Sequence, residues 1–290
     1  MKIKDIIKQQ GKSLSFEFFV PKDEEGESLL VETIRRLEAL SPTFVSVTQS
    51  AEAGSLENTR RMVKRIKRET SLEIMPHLAC VDQSKSELMH TLQDYKNLGI
   101  ENILALRGDP PQGITGFCPP EGGFRYAKDL VKLAASLKAF SIGVAVYPEG
   151  HIESPNLEMD IAYTKEKIDA GADFAITQMF FQNRFFYDFM ERAQKAGIHI
   201  PIIPGVMPIT DINRLGRFSQ LCSATVPSAL VEKMEKAKDS PEDARKIGME
   251  FTIRQCDDLL ENGVQYLHFF TLNRGEVIIK ILDSLALKPL

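Results

Sequence analysis

Long apolar runs are missing from the chain. No window approaches the ~18 consecutive apolar residues of a membrane span, so no membrane partner is expected. Basic excess is missing as well. The formal net charge is -4, whereas a nucleic-acid binder carries the opposite balance. Cysteine is scarce: the four thiols, Cys80, Cys118, Cys222 and Cys256, are scattered with no C-x-x-C pair. That disfavours a zinc ribbon, a dithiol redox pair or an iron–sulfur cradle. Reduced, mostly buried thiols in a soluble cytoplasmic protein are the expectation. Several motifs are also absent. There is no H-E-x-x-H, and no G-x-G-x-x-G follows a strand pattern. Gly11-Lys12-Ser13 lacks the upstream glycine of a phosphate-binding loop. With no partner for His77 at ligand spacing, no metal is expected. The Met1–Gly11 segment is lysine-rich and amphipathic, unlike a secretory signal.

What is present is a rhythm. The chain has 290 residues, 43% hydrophobic and 26% charged, enough for a sizeable core. Short β-rich runs alternate with helical patterns roughly every 30 residues, the length a βαβ unit needs. The runs read as strands are 14–19, 44–48, 73–78, 102–106, 141–147, 174–179, 200–204 and 266–271. Ile103-Leu104-Ala105-Leu106 is apolar throughout, as parallel strands covered on both faces are. Leu29, Leu30, Ile34, Leu37 and Leu40 recur at helical spacing. Ser84 with Glu87 reads as a capping box opening a helix that carries Leu88, Leu92 and Tyr95. Gly171 reads as a helix C′ glycine. The stretch 207–265 must hold more than one helix. Eight strands alternating with helices make an α/β fold, a single (β/α)8 TIM barrel spanning 1–290 as one domain. A doubly wound open sheet is the alternative. Long loops at 110–124 and 148–155 both follow strands.

Polar residues recur near strand ends: Glu17, Thr48, His77, Arg107-Gly108-Asp109, Tyr147-Pro148-Glu149, Gln178 and Asn273-Arg274. Strand C-termini of a barrel converge on one mouth, so these groups are expected to form one site. Glu17 stands in an aromatic run, Phe16-Glu17-Phe18-Phe19. If it points inward, burial raises its pKa toward about 6–7, which suits a general acid; an outward, solvated Glu17 is the alternative. Asp109 is either half of a surface Arg–Asp turn or a negative charge beside a cofactor. His77 is either a core histidine or part of the mouth. His151, Asp160, Tyr163 and Lys167 can wrap a ligand, with Asp160 and Lys167 expected at a helix start, where phosphate and ribose groups are held. A solvated helix face is the alternative.

Seven segments, in order along nearly the whole chain, resemble the motifs of the methylenetetrahydrofolate reductase family. They are Phe16-Glu17-Phe18-Phe19, Phe44-Val45-Ser46-Val47-Thr48, Pro76-His77-Leu78, Ala105-Leu106-Arg107-Gly108-Asp109, Tyr147-Pro148-Glu149, Ile176-Thr177-Gln178 and Phe269-Phe270-Thr271-Leu272-Asn273-Arg274. The resemblance implies a barrel with non-covalent FAD at the strand C-termini. It implies reduction of 5,10-methylenetetrahydrofolate to 5-methyltetrahydrofolate, with NADH or NADPH as donor on the same flavin face. By this resemblance Glu17 is the acid that assists opening of the folate five-membered ring. Asp109 is the carboxylate near flavin and pterin. Thr48, His77, Arg107, Gly108, Asp109, Tyr147, His151, Asp160 and Lys167 contact FAD. Gln178 meets the pterin, Arg274 lies on the folate side, and Phe218 packs against the stacked substrate.

Departures from the family pattern bear on the nicotinamide and folate-tail contacts. Arg214 stands near Phe218 where bacterial relatives carry a neutral amide. Gln49 follows the matched threonine where a tyrosine often stands, and the 110–124 loop is longer than in the compact bacterial form. The regulatory domain of the larger eukaryotic members is not expected, nor inhibition by adenosylmethionine. The resemblance implies a homo-oligomer or the catalytic subunit of a partner reductase. Two further readings stay open: a catalytic subunit taking electrons from another protein, and a non-catalytic flavin- or pterin-binding barrel.

Overall fold

The computed structural model describes residues 1–49, 55–109, 118–213, 215–216 and 222–285. Strands and helices alternate as the rhythm requires. The first half runs α1 (Ile3–Gln10), β1 (Ser13–Phe18), α2 (Glu24–Glu38), β2 (Phe44–Val47), α3 (Ser55–Glu69), β3 (Ile74–Ala79), α4 (Lys85–Asn97), β4 (Asn102–Leu106) and α5 (Ala127–Ser136). The second half runs β5 (Ser141–Val146), α6 (Leu157–Asp169), β6 (Phe174–Thr177), α7 (Asn183–Lys195), β7 (Ile202–Ile203), β8 (Gly205–Val206), α8 (Ser228–Lys236), α9 (Pro241–Glu261), β9 (Tyr266–Phe270) and α10 (Gly275–Ser284). The capping box forms as expected, with Ser84 and Glu87 bonding each other's backbone. Gly171 leaves α6 at φ 119. The 207–265 stretch does hold more than one helix, α8 and α9 among the described residues.

All strand pairs are parallel, in the order β7-β6-β5-β4-β3-β2-β1-β9-β8. The two ends of that order are neighbours in sequence, so the sheet is a nearly closed TIM-type barrel. The expected seventh strand, 200–204, is shifted and split. Ile202 and Ile203 pair with β6, while Gly205 and Val206 pair with β9. Pro204 between them has no N–H for a ladder, although its carbonyl accepts from His268 N at 3.0 Å. Gly205 is required by crowding: a Cβ there would lie 2.3 Å from the Thr177 carbonyl oxygen.

Strand alternation sorts the side chains into two cores. Leu14, Phe16, Phe18, Val45, Val47, Ile103, Ile142, Val144 and Phe269 pack in one cluster with the helices. Phe44, Met75, Leu104, Phe174, Ile176 and Ile203 form a second cluster inside the barrel. Ile3 and Ile7 of α1 join that inner cluster, so α1 plugs the N-terminal end and leaves the other end for chemistry. The plug is fixed by side chains that meet the orphan N–H groups of its first turn. Asn102 Oδ1 accepts from Ile3 N at 2.7 Å, and Ser141 Oγ accepts from Lys4 N at 3.2 Å. Asn102 Nδ2 also donates to the Met1 carbonyl at 3.0 Å.

The four thiols are unpaired. Cys80 and Cys256 are buried, Cys222 is half-buried and Cys118 is exposed, so only two of the four meet the expectation of burial. No helix among the described residues is long and apolar enough to cross a membrane.

Asn102→Ala strands a buried helix N–H. It is expected to cost about 1–3 kcal/mol of stability, read as a lower urea midpoint at unchanged slope. An unchanged midpoint would mean that α1 is held by its apolar face alone.

Candidate active site

Inside the mouth, Glu17 on β1 lies between two imidazoles. His77 Nε2 of β3 is 3.3 Å from Glu17 Oε2, and His268 Nε2 of β9 is 3.4 Å from the same oxygen. The register explains the meeting. Ser15 pairs with His268 and Glu17 with Phe270, so Glu17 and His268 are diagonal neighbours on the inward face. Ser15 Oγ is 2.8 Å from His268 Nδ1, and Phe44 stacks on the His268 ring at 5.9 Å. Thr271 Oγ1 donates to the Glu17 carbonyl at 2.6 Å, fixing the strand.

Glu17 therefore points inward, with 11% of its side chain exposed. Its electrostatics are the reverse of the expectation. Burial does push the carboxyl up, as argued from the sequence. The nearby charge of His77 and the hydrogen bond with His268 outweigh it and carry Glu17 down to about 2. Sequence inspection supplied the desolvation and missed the second histidine. His268 was detectable as a lone imidazole in the apolar run Leu267-His268-Phe269-Phe270, in step with Ser15.

The second part of the site is a cavity of ≈ 530 Å³ between the β4/α5 and β5/α6 units. Arg107, Tyr147, His151, Asp160 and Lys167 line it. Tyr126, Glu153 and Tyr163 line it too; of these, only Tyr163 was singled out in the sequence. Gly108 turns the chain at the end of β4 with φ 84, and a Cβ there would sit 2.5 Å from Val81 Cγ1. Only glycine allows the Arg-Gly-Asp turn. Arg107 points back to Glu153 in a two-pronged pair, one arm at 3.0 Å. Tyr147 and His151 pack edge to face at 4.7 Å. Burial pushes the Tyr147 phenol up. The His151 imidazole is lowered by burial and by the Arg107 charge.

Asp160 and Lys167 do not both stand at a helix start. Asp160 is in the first turn of α6 and Lys167 in its last. Seven residues apart, they share a helix face, and side chains lean toward the helix N-terminus, so the lysine reaches back. Its Nζ donates to the Ala145 carbonyl at 2.6 Å, and burial pulls the amine down to about 8. Asp160 Oδ1 accepts from His151 N at 2.9 Å and from Ser154 Oγ at 2.8 Å. Its Oδ2 is buried with no partner, an acceptor aimed at something else.

The remaining expected residues ring the mouth. Thr48 follows β2 and is buried, donating its N–H to the Phe18 carbonyl at 3.0 Å. Gln178 follows β6 and accepts from Met179 N through Oε1 at 2.9 Å. Arg274 caps α10 and donates to Thr210 Oγ1 at 3.1 Å. Asp109 is exposed three residues beyond β4, and its charge acts on Arg107 and Tyr147. Gln49 accepts from Ala79 N at 3.1 Å. Phe218, Arg214 and most of the 110–124 loop lie outside the described residues. Thus Arg107, Tyr147, His151, Asp160 and Lys167 gather in the cavity, Glu17 and His77 meet in the barrel, and Thr48, Asp109, Gln178 and Arg274 stand on the strand-end rim.

A family model described as methylenetetrahydrofolate reductase matches residues 2–286. The 5,10-methylenetetrahydrofolate reductase of Escherichia coli (strain K12) is 38% identical over 277 residues, covering 96% of this chain and 92% of the relative. Methylenetetrahydrofolate reductase (NADH) 1 of Arabidopsis thaliana is 37% identical over 297 residues, covering 99% of this chain but 50% of the relative. Among solved structures, a Clostridium thermocellum protein described as binding two copies of 5-methyl-5,6,7,8-tetrahydrofolic acid superposes with a TM-score of 0.64 at 14% identity. It covers 97% of this chain and 96% of its own. Likeness at that identity speaks for the fold alone.

The Glu17 environment makes stability depend on acid. Its folded-state pKa lies below the unfolded one, so the ionised form favours the fold. That contribution is whole above about pH 4.5 and is lost as pH falls toward about 2. Stability curves of the native chain and Glu17→Gln should therefore differ near neutrality and converge through that window. Parallel curves down to the acid limit would show that the imidazoles do not hold the carboxylate.

Proposed function

The chain belongs to the methylenetetrahydrofolate reductase family, and from that premise we propose that it reduces 5,10-methylenetetrahydrofolate to 5-methyltetrahydrofolate with FAD in the cavity and NADH or NADPH as donor. One observation carries the reading beyond the family. A cavity holding a buried lysine is lined by β4, and His77, one of the two histidines at Glu17, stands on the adjacent strand β3. His77 pairs with Leu104, and Leu106, two residues on, lines the cavity.

The cavity fits FAD chemically. Arg107 and Lys167 supply positive charge for a diphosphate. The orphaned Asp160 Oδ2 is an acceptor for a ribose hydroxyl. Tyr126 and Tyr147 offer ring faces, and Thr48, His77, Gly108, Asp109 and His151 extend the contact surface toward the mouth. When bound, FAD supplies the two-electron relay between nicotinamide and folate.

The chain's own side chains then orient substrate, hold a proton and fix charge. Ring opening at the folate one-carbon unit needs a proton for the departing nitrogen and leaves a cationic iminium. Glu17 handles that proton within its cluster, where His77 Nε2 and His268 Nε2 lie 3.3 and 3.4 Å from its Oε2. This replaces the simple picture of a neutral carboxyl. Asp109 sets a negative charge on the rim, where it favours the cation. Gln178 uses its Oε1 on Met179 N, which leaves its amide hydrogens for the pterin. Arg274, braced on Thr210, places its charge on the folate side. The donor and the folate occupy the same place in turn, which gives ping-pong kinetics.

Purified protein is expected to show a flavin spectrum that bleaches with NADH or NADPH and recovers on adding 5,10-methylenetetrahydrofolate. A colourless protein unable to take up FAD sinks the proposal. Bound flavin that neither nucleotide bleaches favours a subunit fed by a partner protein. Glu17→Gln should keep donor bleaching and lose roughly 10²–10⁴-fold in folate reduction; normal folate turnover removes Glu17 from the proton path. Asp109→Asn should slow folate reduction and raise the flavin potential, and an unmoved potential counts against charge tuning.

A further inference from the structure

The cavity carries a carboxylate in a place that calls for an anion. Both terminal nitrogens of Arg107 face Glu153, one arm at 3.0 Å and the other shorter. This is the two-pronged geometry that a guanidinium otherwise offers a phosphate. The pair links the end of β4 to the loop between β5 and α6, across the cavity that both residues line. Arg107 keeps 19% of its side chain exposed and Glu153 keeps 50%. The guanidinium is therefore fixed in the wall, and its Nε also donates to the Gly108 carbonyl at 3.2 Å. The carboxylate, by contrast, has open solvent to retire into.

The loop beneath Glu153 is pinned independently of this pair. Asp160 Oδ1 takes His151 N and Ser154 Oγ, and Glu153 N donates to His151 Nδ1 at 3.1 Å. Withdrawing the Glu153 side chain thus leaves the loop in place. Each partner strengthens the other's charge: the hydrogen bonds that Arg107 donates to Glu153 raise Arg107 and lower Glu153.

We propose that Glu153 sets the affinity of the site for flavin nucleotides by competing, as a built-in anion, with a nucleotide phosphate for the Arg107 fork. The proposal rests on the reading of this cavity as the FAD site. No bond is made or broken; one ion pair exchanges for another. The exchange weakens phosphate-bearing flavins only, since riboflavin has no group that claims Arg107.

The test is an equilibrium titration of the full-length, flavin-stripped protein with FAD and with riboflavin, followed by flavin fluorescence. Glu153→Gln keeps the size of the side chain and removes its charge; FAD should bind roughly two- to five-fold tighter, the scale of a part-exposed pair, and riboflavin equally well. Asp169→Asn removes a charge from the exposed Lys165–Asp169 pair on α6 and should leave FAD binding unchanged. In an Arg107→Gln background the gain from Glu153→Gln should vanish. Unchanged or weaker FAD binding by Glu153→Gln overturns the proposal, as does equal tightening for riboflavin, for Asp169→Asn, or in the Arg107→Gln background. Should the native protein bind no FAD at all, the reading of the cavity fails first and the proposal with it. Glu153→Ala, which cannot hydrogen-bond Arg107, should repeat the gain if the glutamine variant is poorly folded.

Discussion

A closed ring of parallel strands forces every second side chain into one shared interior. The helices cover the outer face, so an inward polar group has no water to retreat to and must find partners among the other strands. Here the ring is filled from its N-terminal end by Phe44, Met75, Leu104, Phe174, Ile176 and Ile203 with α1 beneath them. The polar inward residues are thereby driven to the other end, where Glu17, His77 and His268 meet one another and Ser15. Distance in sequence is irrelevant to that encounter: Glu17 and His268 stand 251 residues apart and meet because β1 and β9 are neighbours in the ring.

The same constraint decides the charge state of Glu17. A buried carboxyl alone favours its neutral form, and the aromatic run around it suggests that outcome. A buried carboxyl beside a positive charge and a hydrogen-bond donor favours its ionised form, because those partners stabilise the charge more than burial penalises it. The difference lies in the partner strands. Local sequence reports the burial of a side chain far better than it reports the charges that burial brings alongside.

That asymmetry also sorts what was legible. Strand positions, the capping box at Ser84, the turn at Gly171 and the glycine turn at Gly108 follow from local rules and are found where those rules put them. The seventh strand misleads, because Pro204 interrupts the ladder and shifts its register onto Gly205 and Val206. Lys167 stands at the end of its helix rather than the start expected of it, because the reach of a lysine stem is invisible in sequence. Glu153 and Tyr126 carry no strand-end signature. They enter the cavity from loops and helix starts, where spacing says little about direction. His268 was overlooked for the opposite reason, hidden in a strand whose apolar neighbours make it look like core.

The two parts of the candidate site differ in charge. The cavity concentrates cations, Arg107 and a Lys167 amine depressed to about 8 by burial, and so favours an anionic guest. The barrel interior concentrates a carboxylate with imidazoles and so favours holding a proton. Each of the two buried charges has its own partner. Lys167 is tied to the Ala145 carbonyl with Asp160 favouring its charged form, and Glu17 is enclosed by His77 and His268. Asp109 is exposed three residues beyond β4 and is felt by both Arg107 and Tyr147, so it carries the field of the cavity outward onto the rim, where water screens it more than the enclosed charges.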